Sequence, residues 1–420
     1  MAVDTLVDHL FRKEAGRITA LLVRIFGLKQ IEIAEDIVQE TLIDALNQWS
    51  IGEIPANPSG WLLQVAKRKT INLLKREQRA QVYVQQELAK SRTVDDSWGE
   101  FFLEEHIGDS QLRMIFACCH PVLPVESQIA LTLKTLCGFS VSEIAHALLT
   151  TVSNINKRLY RAKQKFRNDA IKFEMPPADQ LKDRLEGVYL ALYLLFNEGY
   201  NASHHDDLIR EDVCVEAIRL AMLVAEDYPD QPTVYALLAL MYLHGARFEA
   251  RLDKQGGIVI FEDQDRSQWD QDMIRSGLYF LQKSAAGQVL SAYHLEAGIA
   301  AAHCLASDIE NTDWQSIHRQ YQLLYKIKPS PVVALNMAII SSKIESIDAS
   351  IDSLLVLEKN GALENYYLLF ATLGHFYIKK ADYQNALVYL RRASALTNSP
   401  AERRFLDAKI ATCLAERPPS

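Results

Sequence analysis

The sequence lacks the features that mark several common classes of protein. Its six cysteines are scattered without a disulfide framework, which suits a reducing cytoplasm. No apolar run is long enough to cross a membrane, and no signal peptide opens the chain. A P-loop, a glycine-rich phosphate cradle and a paired acid–base spacing are also missing, which argues against an enzyme. We therefore expect a cytoplasmic protein with no catalytic site, metal or cofactor.

One short cluster, formed by Cys118, Cys119 and His120, carries side chains that bind zinc in other proteins. Adjacent cysteines are poorly spaced for chelation, and no CxxC partner occurs elsewhere. The sequence therefore favours small buried side chains here, with zinc binding as the alternative.

Charge is divided unevenly along the chain. The 420 residues carry a net charge of −8, with the 49% hydrophobic and 23% charged content of a globular protein of two or three domains. Residues 1–175 contain 22 Lys and Arg against 21 Asp and Glu, whereas residues 176–420 contain 23 against 32. Pro176 and Pro177 mark the natural boundary, because consecutive prolines end the helix predicted to reach Phe173.

A helix-turn-helix is predicted between residues 139 and 167. Ser140 or Ser142 can cap the first helix, and Thr150, Thr151 and Ser153 cluster where the turn and the next cap should fall. Both helices have an apolar side with helical spacing. Its members are Val141, Ile144, Ala145 and Leu148 in the first helix and Val152, Ile155, Leu159, Ala162 and Phe166 in the second.

The other side of the second helix carries amides and cations. Residues 154–167 include six basic residues and no acidic one. In a helix-turn-helix, such a surface enters the DNA major groove, where amides contact base edges and cations hold phosphates. A helix hairpin with a solvated basic face is the alternative. The predicted DNA-binding residues are Asn154, Asn156, Lys157, Tyr160, Arg161 and Lys165.

Three helices are predicted nearer the N-terminus, at residues 4–26, 32–49 and 60–79. In the second, Glu32, Asp36 and Glu40 recur every four residues and form an acidic stripe. Ser59 is placed to cap the third helix. The predicted buried side of this third helix consists of Leu62, Leu63, Ala66, Thr70 and Leu73.

The opposite side of the third helix is basic. Residues 67–79 hold six cations and one acid, which suits phosphate binding, and a neighbouring Trp suits base stacking. The alternative is an ordinary solvated face with Trp61 in the core. The candidate residues are Trp61, Gln64, Lys67, Arg68, Asn72 and Lys75, and Ile71 falls on the same side without an explanation.

An acidic segment separates these helices from the helix-turn-helix. Residues 87–109 contain seven acidic and two basic residues, a composition typical of an exposed linker with some local helix. Two further helices are predicted between residues 111 and 137, with a break near Pro121 and Pro124.

The acidic back half is predicted to be helical nearly throughout. Residues 184–245 contain three or four segments with helical apolar periodicity. Gly256 and Gly257 lie between two short alternating segments, which predicts a β-hairpin near residues 249–261.

Three carboxylates follow this hairpin, at Glu262, Asp263 and Asp265. They are close enough to bind a cation. The composition favours an acidic turn instead, in which Asp265 or Ser267 caps a helix that begins at Gln268.

Residues 290–420 are predicted to form helix pairs. The segment YYLLFATLGHFYIKKADYQNALVYLRRASAL matches the tetratricopeptide pattern, in which small residues let paired helices close, and residues 330–359 are a looser copy. Such arrays usually present a protein-binding groove. The alternative is a solenoid that packs only against its own front half. The matching positions are Leu373, Gly374, Tyr377, Tyr383, Ala386, Leu390 and Ala393.

Two parts of the front half resemble regions 2 and 4 of extracytoplasmic-function sigma factors, in order and spacing, over about residues 8–80 and 111–170. The segments concerned are AEDIVQETLIDAL, PSGWLLQVAKRKTINLLKR and LPVESQIALTLKTLCGFSVSEIAHALLTTVSNINKRLYRAKQKFR. The phrases LFNEGY and EDQDRSQWD are similar to the subclass with a large tetratricopeptide-like extension.

The resemblance implies an all-α fold. A region 2 domain and a region 4 helix-turn-helix domain would be followed by a tetratricopeptide-like α-solenoid with one small β-hairpin. The implied domains are region 2 at 1–82, an acidic linker at 83–110, region 4 at 111–175, a helical extension at 176–289 and helical repeats at 290–420.

The resemblance also implies a function, namely binding to core RNA polymerase and promoter-specific initiation of transcription. Asp36, Gln39 and Glu40 would dock on the clamp helices of the polymerase β′ subunit, and region 4 would meet the β flap. The loop at residues 51–59 would hold a flipped base of the −10 element, and the Trp61 helix would face the −10 DNA. The second helix of the helix-turn-helix would recognise the −35 element. Thr70 and Asn72 stand where the family often has Ala and Asp, which leaves the −10 preference open.

An activator that combines a helix-turn-helix with a tetratricopeptide sensor remains the alternative. It does not explain the acidic stripe followed by the Trp61 helix. The extension is expected to regulate the sigma factor or to be required for its activity, through a protein partner or an intramolecular contact of the repeats.

Overall fold

Helices dominate the computed structural model, which describes residues 2–50, 54–85, 104–148, 150–168, 171–200, 211–253, 257–397 and 399–416. The chain divides into two units, Met1–Leu195 and Phe196–Ser420. Parts of the predicted −10 loop (51–53), of the acidic linker (86–103) and of the hairpin (254–256) lie outside the described residues. Among the described helices, none is both long enough and apolar enough to cross a bilayer.

The first unit contains every helix predicted in the front half. The third helix begins earlier than predicted, because the cap is Asn57 and not Ser59: the Gly60 N–H donates to Asn57 Oδ1 at 2.9 Å. The helices are α1 (Ala2–Phe26), α2 (Ile31–Trp49), α3 (Pro58–Gln85), α4 (Glu104–Cys118), α5 (Val125–Thr135), α6 (Val141–Ala147), α7 (Val152–Asn168) and the larger part of α8 (Ala178–Tyr200).

Helices α6 and α7 form the predicted helix-turn-helix. Ser140 and Glu143 make a reciprocal capping box at the start of α6, with N–H to oxygen distances of 3.2 and 2.7 Å. Thr151 Oγ1 accepts from the Asn154 N–H at 3.2 Å and caps α7. The prediction that Val152 is buried was wrong, because this residue lies in the open first turn of α7 and is 47% exposed. Helix α7 also ends at Asn168, before the predicted Phe173.

Helix α1 packs closely against α4 and also contacts α5. Gly16 makes this possible, since a Cβ at this position would lie 1.8 Å from the Leu136 carbonyl oxygen. Two ion pairs flank the contact, Arg24 with Asp109 at 2.9 Å and Arg12 with Glu143 at 3.1 Å. The segments that resemble region 2 and region 4 are therefore packed together within one unit.

The second unit is an array of helices, most of them connected by short turns, with one long connection between residues 246 and 270. Its clearest predicted pair is confirmed: Gly374 lies so close to Leu390 that a Cβ would approach the Leu390 Cγ to 2.7 Å. The helices are α9 (Glu211–Asp227), α10 (Pro232–Gly245), α11 (Gln271–Ser284), α12 (Ala292–Leu305), α13 (Trp314–Ile327), α14 (Pro331–Ile344), α15 (Ile347–Lys359), α16 (Tyr367–Lys379), α17 (Tyr383–Leu396) and α18 (Pro400–Glu416).

The predicted β-hairpin near residues 249–261 is not seen. In the described part of this segment, pairing is limited to one antiparallel bridge between Leu252 and Ile258. Its first half is a 3-10 helix, Glu249–Arg251. In its second half, the apolar side chains lie against helices. The alternating pattern of the sequence therefore reflects these helical surroundings and not the two faces of a sheet.

The acidic turn after this segment is present, with different caps. Asp265 Oδ1 accepts from the Ser267 N–H at 2.9 Å and caps a 3-10 helix, Arg266–Gln268. Helix α11 begins at Gln271, three residues later than predicted, and Asp270 is its cap. The chain is extended at Trp269, which is buried, and this separates the two helices.

Candidate nucleic-acid interface

The six residues predicted to contact DNA on α7 are all exposed. Tyr160 is the largest of them and is 64% exposed. The Asn154 amide donates to Thr150 Oγ1 at 3.2 Å, which orients it at the turn. The opposite side of α7 is anchored in the core by Ile155, Leu159, Ala162 and Phe166. Helix α7 therefore presents amides at its N-terminal end and cations along its length, which is the chemistry of major-groove recognition.

Two further cations of α7 have a different role. Lys163 Nζ lies 2.5 Å from Glu35 Oε2, and Arg167 forms an ion pair with Glu32. Both carboxylates belong to α2, so one flank of the recognition helix is tied to the segment that resembles region 2. Sequence reasoning missed this division of the six basic residues. No local signal could have found it, because the paired residues stand about 130 positions apart.

The basic side of α3 is largely accessible. Gln64, Arg68, Asn72 and Lys75 are exposed, whereas Lys67 is half-buried. Its buried side contains Leu62, Ala66 and Thr70 as predicted, together with Val65, while Leu63, Leu73 and the unexplained Ile71 are half-buried.

Trp61 combines the two roles considered for it. The indole is half-buried, with its ring centroid 5.4 Å from that of Trp49, which lies 5.7 Å from Phe11. It also lines a surface depression together with Asp44, Asn47, Gln48 and Arg68. One side of the ring therefore belongs to an aromatic cluster, and the other is accessible beside a cation.

The acidic residues of α2 face two sides of the helix: Glu32 and Glu35 pair with α7, whereas the predicted docking residues are exposed. Asp36, Gln39 and Glu40 are exposed, as are the apolar side chains of Ile43 and Leu46, at 53% and 51%. Sequence reasoning missed these two apolar residues. The available signal was helical spacing: Ile43 stands two turns after the exposed Asp36, on a different side of the helix from the buried Ile37, Thr41 and Ala45.

Lys69 of α3 pairs with the same surface. Its Nζ lies 3.1 Å from Glu40 Oε2 and 3.0 Å from Asp44 Oδ2. Sequence reasoning missed this residue as well. The side chain holds α2 and α3 together and leaves Asp36 at the open edge of the stripe.

The cysteine pair is buried, as predicted. Cys118 Sγ contacts Thr135 Oγ1 at 3.5 Å and Cys119 Sγ contacts Thr132 Oγ1 at 3.8 Å. Burial raises the pKa of the Cys119 thiol to about 12 and also raises that of Cys118, so both are protonated at neutral pH. Over the residues that the structure describes, no group of three or more His, Cys, Asp or Glu side chains is arranged to hold a metal ion.

Comparisons with known proteins agree with this geometry. Residues 10–80 match the family described as sigma-70 region 2, and residues 113–166 match sigma-70 region 4. Residues 184–285 match a family of unknown function, DUF6596. An uncharacterized protein of Rhizobium meliloti is 34% identical over 392 residues, 92% of each chain. A probable RNA polymerase sigma factor of Haemophilus influenzae is 25% identical over 154 residues, 34% of this chain and 78% of that protein.

The two sigma-70 regions, in this order and followed by a helical extension, define the class of protein. The chain belongs to the extracytoplasmic-function sigma factors that carry a tetratricopeptide-like C-terminal extension. Its similarity to the Rhizobium protein runs through the sigma regions and the extension together.

Proposed function

We propose that this chain binds core RNA polymerase and directs it to promoters, with α7 on the −35 element and α3 on the −10 element. The observation that carries the proposal is the exposed row of amides and cations on α7, opposite a fully anchored apolar side. On α3, the candidate DNA contacts are Trp61, Gln64, Lys67, Arg68, Asn72 and Lys75. The accessible side of Trp61, next to Arg68, suits an unstacked base.

The polymerase docks on the exposed surface of α2 in this proposal. Asp36, Gln39 and Glu40 supply polar contacts, and Ile43 and Leu46 supply apolar area beside them. Apolar side chains exposed next to carboxylates on one helix are typical of a protein-binding surface, in which apolar contacts supply affinity and charges set the partner.

The two DNA-facing helices have to separate before both can act. Elements named −10 and −35 lie about 25 base pairs apart, or about 85 Å at about 3.4 Å per base pair. Helix α7 is about 26 Å long at about 1.5 Å per residue and is paired with α2 through Glu32 and Glu35. The arrangement described is therefore a closed form of the free sigma factor, and polymerase stabilises an open one.

The extension is required for activity in this proposal and acts in cis. Its sequence carries a net charge of −9 over residues 176–420, which repels DNA and favours contacts with protein. The helical repeats offer the surface for such a contact, with polymerase or with another partner. The rival proposal, an autoinhibitory clamp, predicts the opposite effect of removing the extension.

Transcription with purified core polymerase and this chain as the sole added protein tests the proposal. A library of randomised promoter sequences serves as template, because the preferred promoter is not known. A sigma factor yields transcripts with shared upstream sequences. The alternative, an activator that never enters polymerase, yields none from core enzyme alone.

A further inference from the structure

A short segment crosses one face of the repeat array in the second unit, running from a single β-bridge at Ile258 into a 3-10 helix at Phe261–Asp263. This segment, residues 258–262, is called the strap below. Ile258, Ile260, Phe261 and Glu262 line a cavity between the strap and the helices. The Phe261 ring also contacts the Arg247 guanidinium, 4.3 Å from the ring centroid, and meets the His303 ring edge-on at 4.6 Å between centroids. All five residues of the strap are half-buried, so the strap is laid on the helices and is not part of a closed core.

The surface under the strap is built from the first helices of successive helix pairs. The cavity is lined by α14, α16 and α18, and no residue of α15 or α17 takes part. We call this surface the groove. Its walls are mainly apolar and include Ile339, Ala371, Phe376, Phe405 and Leu406.

One end of the groove recognises a carboxylate. Glu262 Oε1 lies 2.7 Å from Lys343 Nζ, and Glu262 Oε2 lies 2.8 Å from Lys379 Nζ and 3.8 Å from His375 Nε2. The neighbouring His375 imidazole, together with the ammonium groups of Lys343 and Lys379, holds the pKa of Glu262 well below its usual range. Two lysines and a histidine from two helices thus converge on a single carboxylate, beside the apolar walls that contact the two isoleucines.

The strap does not fill the groove. About 270 Å³ of space remains between it and the helices. A bound segment with bulkier apolar side chains would use this space, whereas Ile258 and Ile260 leave it open.

We propose that the groove of α14, α16 and α18 is a peptide-binding site and that the strap occupies it as an internal ligand. A partner protein displaces the strap with a segment of the same chemistry. The partner segment carries apolar residues at two alternate positions and an acidic residue two positions further on. This inference concerns the extension alone and is independent of the sigma regions.

The strap competes with any added peptide for the groove, and the binding experiment has to account for this competition. A tethered ligand acts at an effective concentration in the millimolar range, so an added peptide binds the wild-type chain weakly. The probe is a labelled peptide with the sequence of residues 257–264, and its control has Lys in place of the glutamate. The full-length chain is compared with a strap variant, Ile260→Ser with Glu262→Gln, by fluorescence anisotropy. Circular dichroism verifies that each variant is folded.

The strap variant should bind the peptide at least tenfold more tightly than the wild-type chain. Adding Lys343→Glu and Lys379→Glu to the strap variant should remove that binding, and the Lys control peptide should not bind. Equal binding by the strap variant and the wild type, or equal binding of the two peptides, overturns the proposal.

A second measurement needs no variant. Hydrogen–deuterium exchange of the wild-type chain is followed with and without millimolar peptide. Displacement predicts faster exchange of the strap amides, including the Val259 N–H, which donates to the Arg251 carbonyl at 2.9 Å. Unchanged exchange of the strap would mean that it is a permanent structural connection and would overturn the proposal.

Discussion

Single acidic residues on α2 have distinct partners, although they look alike in sequence. Glu32 and Glu35 pair with cations of α7, and Glu40 pairs with Lys69 of α3. Asp36 stays exposed at the edge of the stripe. The docking surface proposed for polymerase is therefore centred on Asp36 and Glu40, with Ile43 beside them.

Reversing Asp36 and Glu40 to Lys should weaken assembly with core polymerase by at least tenfold. Like charges placed across an interface oppose association, and a lysine at position 40 would also face Lys69. Competition with wild-type chain for core polymerase measures the effect. Glu126→Lys, an equally exposed acid on α5, serves as the matched control. If the double variant competes as well as the control, polymerase docks elsewhere.

Two half-buried histidines, whose ring Nδ1 atoms are buried, predict that the second unit is sensitive to acid. Burial, together with Arg247, lowers the pKa of both His244 and His303 to about 3, so both are neutral at pH 7. In the unfolded chain their pKa is about 6.5. Because the folded pKa is the lower one, the stabilisation present above pH 6.5 declines as the pH falls from 6.5 towards 3.

The free energy of unfolding of this unit should fall by about 2–3 kcal/mol between pH 7 and 5.5, at about 1.4 kcal/mol for each histidine per pH unit. Urea denaturation at both pH values measures it, and His303→Gln should remove about half of the pH dependence. An unfolding free energy that stays constant over this range would contradict the low pKa of the two imidazoles.

Individual helices were predictable from the sequence where apolar periodicity and a capping residue indicated the same helix. The stripe of Ile155, Leu159 and Phe166 and the Ser140 capping box fix α6 and α7 without reference to the rest of the chain. The hairpin was not predictable, because the apolar side chains of the strap contact a cavity lined by helices, and Phe261 also contacts Arg247 and His303. Only tertiary structure distinguishes these surroundings from the two faces of a sheet.

The candidate DNA-binding residues on α7 followed from the sequence, since helical periodicity separates an exposed side from a buried one. The pairing of Lys163 and Arg167 with α2 did not, because it joins residues about 130 positions apart. No local pattern reports contacts at that separation.

Charge reversal across α2 and α7 should open the first unit. Glu32→Arg with Glu35→Lys replaces two attractive ion pairs with repulsion. The free energy that favours the closed form should fall by about 1–2 kcal/mol, which raises the ratio of open to closed forms by a factor of about 5–30. Dyes attached at Gln48→Cys and Glu126→Cys report the distance by energy transfer. The native cysteines of this unit are buried, which limits background labelling.

The complementary reversal of Lys163 and Arg167 to Glu provides the control. Combined with the first pair of changes, it restores attraction and should return the dyes to the wild-type distance. If the distance is the same in all variants, these ion pairs do not hold the closed form.

At the scale of the whole molecule, the point at which the extension is removed decides what is learned. The first part of α8 belongs to the first unit, and its Leu185, Val188, Tyr189 and Leu192 are buried. Gly187 approaches Gln128 of α5 closely. A chain ending at Met175 loses these side chains, each worth about 1.5–3 kcal/mol, out of a total stability of about 5–15 kcal/mol.

A chain ending at Tyr200 should therefore fold, whereas a chain ending at Met175 should unfold at lower temperature, as followed by circular dichroism. We expect the chain ending at Tyr200 to transcribe weakly, because the extension is required in cis. Stronger, signal-independent transcription by this fragment would show that the extension is an inhibitory clamp.

The most direct test of the central claim is transcription of a randomised promoter library by core polymerase with wild-type chain or with the double variant Lys157→Ala and Arg161→Ala. Each lost contact should cost about 1–3 kcal/mol. We expect the double variant to retain binding to core polymerase but to lose the transcripts that depend on a −35 sequence. The control variant Lys172→Ala, at an exposed lysine beyond α7, should retain these transcripts. An unchanged set of transcripts from the double variant would contradict the assignment of α7 to the promoter.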